Sequence, residues 1–315
     1  MVEMYTYIWL FVSYYVRPIY KWFLRKTTGL CELQRICYGA VSGAPRVRAV
    51  EKSLGASRSP QIAQLIAHLN NVSDNHRFVG QNGREIVSGA VSTVLLVKRI
   101  NPRVHFQFVK SFGHCIQQIW GYRQLLADVE SLRTTTYDPD NVEHERKLML
   151  LWEALRPDEM LASRITKQWQ DIGFQGDDPK TDFRGMGLLG LENLLFFASE
   201  YGNGPASHVL SHSLHPVHGY AFAIVGINLT SMAWQLLRDG HAKTYVYNTC
   251  KAVPSVRVFH QFYCYLFYEF DRHWLACRPK SMMEFSDIKT KFESNVKASL
   301  QDPNNVFSIR LADTV

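Results

Sequence analysis

A chain of 315 residues that is 46% hydrophobic and 20% charged can bury one large core or two small ones, which excludes a disordered protein. The net charge of +7 is local: residues 17–58 hold nine basic side chains against Glu32 and Glu51, which accounts for the whole excess. That pattern points to an anionic surface rather than to a generally adhesive protein. The cysteines at 31, 37, 115, 250, 264 and 277 include no C-x-x-C pair, so no zinc site is complete and reduced thiols are the default.

Residues 5–16 form an apolar, aromatic-rich run that is too short to cross a hydrocarbon core, which takes about 20 helical residues. Extending it to Leu24 would bury Arg17 and Lys21 and include Pro18. Glu3 and the lack of a small-residue cleavage site argue against a signal peptide. Arg17, Lys21 and Arg25 recur every four residues, one basic stripe on a helix that carries aromatic residues elsewhere. The expectation is an interfacial helix that binds a membrane through these three residues; a helix docked on the protein's own core and a signal-anchor are the alternatives.

Gly39 to Pro60 reads as a connector. Ser59-Pro60 then opens a helix with Ile62, Leu65, Ile66 and Leu69 on one face, and residues 70–83 read as a polar loop. Residues 84–100 and 105–133 suit helices. Leu148, Leu151, Trp152 and Leu155 mark another that ends before Pro157, and Leu161, Ile165, Trp169 and Ile172 repeat the pattern. Residues 220–237 are almost wholly apolar, but Asn228, Thr230, Ser231 and Gln235 make a central buried helix the better reading than a membrane span. Phe259, Phe262, Tyr263, Leu266, Phe267 and Phe270 form the clearest helical face, and a last helix is expected over about 282–300. With no period-two alternation and no repeat, the expected fold class is all-α, a single multi-helix domain with an N-terminal amphipathic helix.

Few constellations carry chemistry. His208, His212, His215 and His218 lie close in sequence, but H-E-x-x-H is absent and Pro216 and Gly219 interrupt the helix, so no metal is expected. No G-x-x-x-x-G-K-[ST] loop or G-x-S-x-G elbow occurs, and Gly185-x-Gly187-x-x-Gly190 follows no strand. No cofactor and no independent active site are therefore expected.

Arg184 is the remaining candidate. It follows a turn rich in glycine and aspartate and precedes an apolar helical run, near whose positive N-terminus a cation is poorly placed. It reads either as a functional arginine or as a loop arginine paired with Asp178 or Asp182. A catalytic arginine without a neighbouring nucleophile, base or metal fits insertion into another protein's active site. There a guanidinium fork stabilises charge on a transferred phosphoryl group, worth roughly 10³ to 10⁵ in rate.

The stretch W-x-x-I-G-F-Q-x-x-D-P-x-T-D-F-R-G-x-G-x-x-x-L-x-x-L, from Trp169 to Leu194, resembles the signature of the ELMO domain. The runs at 31–36 (CELQRI), 221–229 (AFAIVGINL) and 259–265 (FHQFYCY) are similar to the short ELMO domain-containing proteins, while residues 38–104 match loosely. The resemblance implies a GTPase-activating protein for small GTPases of the Arf and Arl families, with Arg184 as the arginine finger. It also implies a cytoplasmic protein on internal membranes such as the endoplasmic reticulum, with GTP and magnesium belonging to the partner. The larger ELMO scaffolds, which work with exchange factors, lack the arginine. Around Arg184, Asp178, Thr181 and Asp182 are expected to cap or orient the turn, Trp169 and Phe174 to pack it, and Gly185 and Gly187 to allow close approach. Gln175 either assists orientation or is structural. The expected division is a membrane-associating helix over 1–28, a helical region over 29–130, the ELMO domain over 131–300 and a tail over 301–315. The alternative function is a membrane-tethered effector that binds GTP-loaded GTPases without accelerating hydrolysis. No nucleic-acid module is recognisable, so none is expected as a partner.

Overall fold

The computed structural model describes residues 15–74 and 83–309. Among them every regular element is helical and there is no strand, so the all-α expectation holds. Contacts divide the chain into two compact units, residues 1–123 and 124–315. The expected run at 5–16 lies, up to residue 14, outside the described residues, and so does the part of the expected loop at 75–82. Among the described residues no helix is long and apolar enough to cross a membrane.

The first unit contains α1 (Arg17–Thr28), α2 (Glu32–Gly39), α3 (Ala44–Gly55), α4 (Pro60–Asp74), α5 (Gly83–Lys98) and the first part of α6 (Phe106–Thr134). Successive helices α2 to α5 pack on one another, and Leu33, Val47, Val50, Ile62 and Val94 are buried. The connector expected over 39–60 is instead largely α3. Its glycines and prolines punctuate the ends: Gly43 turns the chain at φ +90°, Pro45 sits in the first turn where its missing N–H costs nothing, and Gly55 closes the helix. Glycine and proline content alone suggests a connector, whereas burial of Val47, Val50 and Leu54 favours the helix. Likewise α4 continues through residues 70–74, past the polar residues at which a loop was expected.

The second unit is built on α8 (Gly187–Glu200), which packs against α7 (Val142–Leu155), α10 (Phe222–Arg238) and α12 (Val256–Cys277). The short helices α9 (Ser207–Ser213) and α11 (Lys243–Thr249) connect these, and α13 (Phe285–Ser299) lies on α12. Asn141 caps α7 by accepting from the Glu143 and His144 amides. The α8 helix is apolar on nearly all sides, which suits a helix enclosed by three others. Its one deeply buried polar residue, Asn193, donates to Thr230 Oγ1 at 3.0 Å and accepts from His260 Nδ1 at 2.7 Å. Burial pushes His260 down to about 4, so it is neutral and hydrogen-bonded rather than charged.

The expected helical face at 161–172 does not form as one helix. Ile165 is exposed, and only Lys167–Ile172 coils, as a 3₁₀ turn. Local polar ties win over apolar spacing here: the Gln168 amide group bonds both the Met160 carbonyl and the Ala162 N–H, and the Thr166 N–H bonds the Asp177 carbonyl.

Candidate functional site

Two short 3₁₀ turns, Lys167–Ile172 and Pro179–Gly185, hold the segment from Thr166 to Gly187. Thr166 Oγ1 caps the first by accepting from the Gln168 N–H, and Asp178 Oδ1 caps the second by accepting from the Lys180 N–H at 3.0 Å. Pro179 supplies a preset φ in the second turn. Under both turns runs a chain of buried rings: Trp152, Trp169, Phe174 and Phe183 meet edge to face at centroid distances of 5.5–5.8 Å, and Tyr137 closes the chain against Phe183. Trp169 is fully buried and donates its Nε1–H to the Arg164 carbonyl at 3.0 Å. Trp169 and Phe174 thus pack the turn.

The polar layer is equally tied. Arg164 bridges Glu145, at 2.6 Å, and Asp178, at 2.9 Å. Burial works against the charge of Arg164, but its hydrogen bonds to these two carboxylates outweigh that and raise its pKa. Glu145 also accepts from the Tyr137 hydroxyl, whose pKa burial and this bond raise. Asp182 Oδ2 accepts from the Gln175 N–H at 2.9 Å, which ties the second turn to the segment between the turns, and burial raises its carboxyl above the usual range. Thr181 Oγ1 donates to the Asp178 carbonyl. Asp178, Thr181 and Asp182 therefore orient the turn.

Two glycines are demanded by close packing. Gly173 has φ +83°, and a Cβ there would lie 2.2 Å from the Phe222 amide nitrogen, at the start of α10. Gly187 has φ +52°, and its Cβ would lie 2.4 Å from both the Arg133 and Thr135 carbonyl oxygens. Gly187 is buried and lets α8 begin against the end of α6, where the Leu188 N–H bonds the Thr135 carbonyl at 2.8 Å. The close approach it allows is internal. Gly185 differs: it is exposed, and nothing lies within 4 Å of a Cβ built on it.

Arg184 stands out from this tied network. It is exposed and, among the described residues, makes no hydrogen bond and no ion pair. Asp178 is occupied by Arg164, and Asp182 by the Gln175 amide, though Asp182 remains close enough to feel the Arg184 charge. Arg184 sits in the last turn of the second 3₁₀ helix, immediately before α8. Beside it opens a cleft of about 420 Å³ lined by Arg133, Thr134, Thr136, Tyr137, Lys180 and Thr181, with no carboxylate among the lining residues. Gln175 is exposed in the segment between the two turns. Sequence reasoning missed Arg164 and Glu145, whose role depends on a contact between segments 19 residues apart.

The histidines do not converge. His212 pairs with buried Asp271 at 2.7 Å, which also accepts from Tyr220, while His218 donates to the Pro279 carbonyl and stacks on His215. Asp271 comes from α12, 59 positions away, and no local spacing signals it. Among the described residues no group of three or more His, Cys, Asp and Glu is placed to hold a metal ion. Of the basic residues in the N-terminal stripe, Lys21 is half-buried on Glu32 at 2.5 Å and Arg25 donates to the Lys98 carbonyl at 3.4 Å; the Arg17 side chain lies outside the described residues.

Residues 127–289 match the ELMO/CED-12 family. ELMO domain-containing protein 2 of Bos taurus is 44% identical over 301 residues, spanning 96% of this chain and 97% of that protein. ELMO domain-containing protein 1 of Mus musculus is 43% identical over 301 residues, spanning 90% of this chain and 88% of that protein. ELMO domain-containing protein B of Dictyostelium discoideum is 32% identical over 286 residues, spanning 88% of this chain and 93% of that protein. No solved structure matches. The motif from Trp169 to Leu194, the helices that carry it and these similarities agree, and the chain belongs to the ELMO/CED-12 family.

Proposed function

We propose that this protein is a GTPase-activating protein for small GTPases of the Arf and Arl type, and that Arg184 is its arginine finger. The observation that carries the proposal is an exposed guanidinium without a hydrogen bond or ion pair among the described residues, on a turn whose two carboxylates are engaged elsewhere, Asp178 by Arg164 and Asp182 by the Gln175 N–H. Such a side chain costs little to redeploy, because no internal bond breaks when it moves into a partner. Its backbone is held by the Asp178 cap, the Asp182 bond to Gln175 and the ring chain beneath, so the loss of freedom on docking is confined to one side chain.

In this reading Arg184 enters the nucleotide site of a GTP-bound partner and places its fork on the γ-phosphoryl oxygens as charge develops there. The partner brings GTP and magnesium. Exposed Gly185, with open space at its Cα, leaves room for the partner's backbone. The same proposal puts the protein on the cytoplasmic face of an internal membrane, the endoplasmic reticulum in particular. The test is single-turnover GTP hydrolysis by a panel of Arf and Arl proteins with wild type and Arg184→Lys. Lysine keeps the charge but not the fork, so the rate at saturating protein should fall by about 10³ or more while binding persists. Near-normal activation by Arg184→Lys would sink the finger assignment.

A further inference from the structure

Helix α1 faces the opposite way from the one its basic stripe suggests. Lys21 turns toward the first unit's own body and pairs with Glu32, which also accepts from Ser53. Arg25 reaches the carbonyl that ends α5. The large apolar side chains that the helix leaves in solvent are Ile19, Tyr20, Trp22 and Phe23, exposed by 68, 60, 62 and 55%, beside the exposed Arg25 and Lys26. Four large apolar groups on one and a half turns form a patch of the kind that soluble surfaces usually avoid.

Behind this helix lies a cleft of about 620 Å³ within the first unit. Its floor is apolar, with Leu33, Leu54 and Ile62, and its rim carries Lys21, Arg25, Arg58 and Lys98 against the single carboxylate of Glu32. The rim is therefore positive by three charges, and the volume suits a group larger than an inorganic ion. Trp22 belongs both to the cleft lining and to the exposed stripe, so the two features are continuous.

We infer that this cleft receives the phosphorylated headgroup of a membrane lipid while Ile19, Tyr20 and Phe23 enter the acyl boundary beside it. Aromatic side chains favour that boundary, and cations within a Debye length of an anionic leaflet are attracted to it. The cleft assigns Arg58 and Lys98, both outside α1, to lipid contact, and it makes Lys21 a wall of the site rather than a free surface charge. The inference rests on the membrane part of the proposed function and not on GTPase activation.

The test is flotation of the full chain with vesicles of phosphatidylcholine alone, with phosphatidylserine, and with phosphatidylinositol 4-phosphate at matched charge. Recovery should be highest with phosphatidylinositol 4-phosphate. The double variant Arg58→Glu with Lys98→Glu should lose about tenfold or more in partition there and little on phosphatidylcholine alone. Trp22→Ala with Phe23→Ala should lose partition on all three. If the double variant melts early, Lys98→Gln replaces it, with about a fivefold loss expected. Equal recovery on the two anionic vesicles, or indifference to Arg58 and Lys98, would overturn the cleft while leaving membrane binding intact. No recovery on any vesicle would overturn the membrane reading itself. A self-association that Trp22→Ala with Phe23→Ala abolishes, without vesicle binding, would reassign the stripe to a second copy of the chain.

Discussion

The glycines of the motif divide by geometry, and alanine substitution should expose the division. At Gly187 an alanine would occupy φ +52° and place its Cβ 2.4 Å from two carbonyl oxygens. The left-handed backbone costs about 1–2 kcal/mol for a residue with a Cβ. Relieving the clash requires the start of α8 to retreat from the end of α6, which weakens the Leu188–Thr135 bond, worth about 1 kcal/mol, and adds about 1–3 kcal/mol of repacking. Gly187→Ala should thus cost roughly 3–6 kcal/mol, a large part of the stability of a typical domain. Gly173→Ala, at φ +83° and 2.2 Å from the Phe222 nitrogen, should cost a similar amount. Gly185→Ala meets nothing within 4 Å, so its stability should stay within about 0.5 kcal/mol of wild type. Urea unfolding followed by far-ultraviolet circular dichroism reads all three, and GTPase activation by Gly185→Ala then reports on partner approach alone. A Gly187→Ala midpoint equal to that of wild type would refute the reasoning, because the two carbonyls would have to yield at no cost.

Two further outcomes follow from groups near the site and in the core. Asp178→Ala removes both the turn cap and one arm of the Arg164 bridge and should cost about 1–2 kcal/mol, whereas Asp178→Asn keeps a capping oxygen and should cost less; thermal melts that rank them the other way would count against the cap. His260 is held neutral in the folded state, down to about 4, while the unfolded chain protonates near 6.5. The unfolded state then binds the extra proton between those values, so its contribution is intact above about pH 6.5 and is lost as pH falls toward 4, by about 3 kcal/mol. The urea midpoint of wild type should drop over that window more steeply than that of His260→Gln, and parallel curves would contradict the assignment.

Much was legible in the linear order of residues. The faces of α7, α10 and α12 were readable because burial on one side imposes a three- and four-residue recurrence, and Leu148, Trp152, Phe259 and Phe267 obey it. The motif around Arg184 was readable for a different reason: turns need particular residues at particular places, and Asp178, Pro179 and Gly173 are each such a residue. Periodicity misled at Ile165, where nearby side-chain amides and carbonyls compete for the backbone, and composition misled over α3, where glycine and proline mark ends and not the whole segment.

Sequence alone therefore determined the helical class and the major buried faces, since these depend on residue type and spacing within one segment, and it marked Arg184 as a candidate. Tertiary structure decided which acids hold Arg164 and leave Arg184 free, which glycine serves packing and which lies open, and which face α1 turns outward. Each of those depends on groups far apart in the chain arriving within a few ångströms of one another. No local pattern encodes such a meeting, because a hydrogen bond or a clash acts on distance in space and not on separation along the chain.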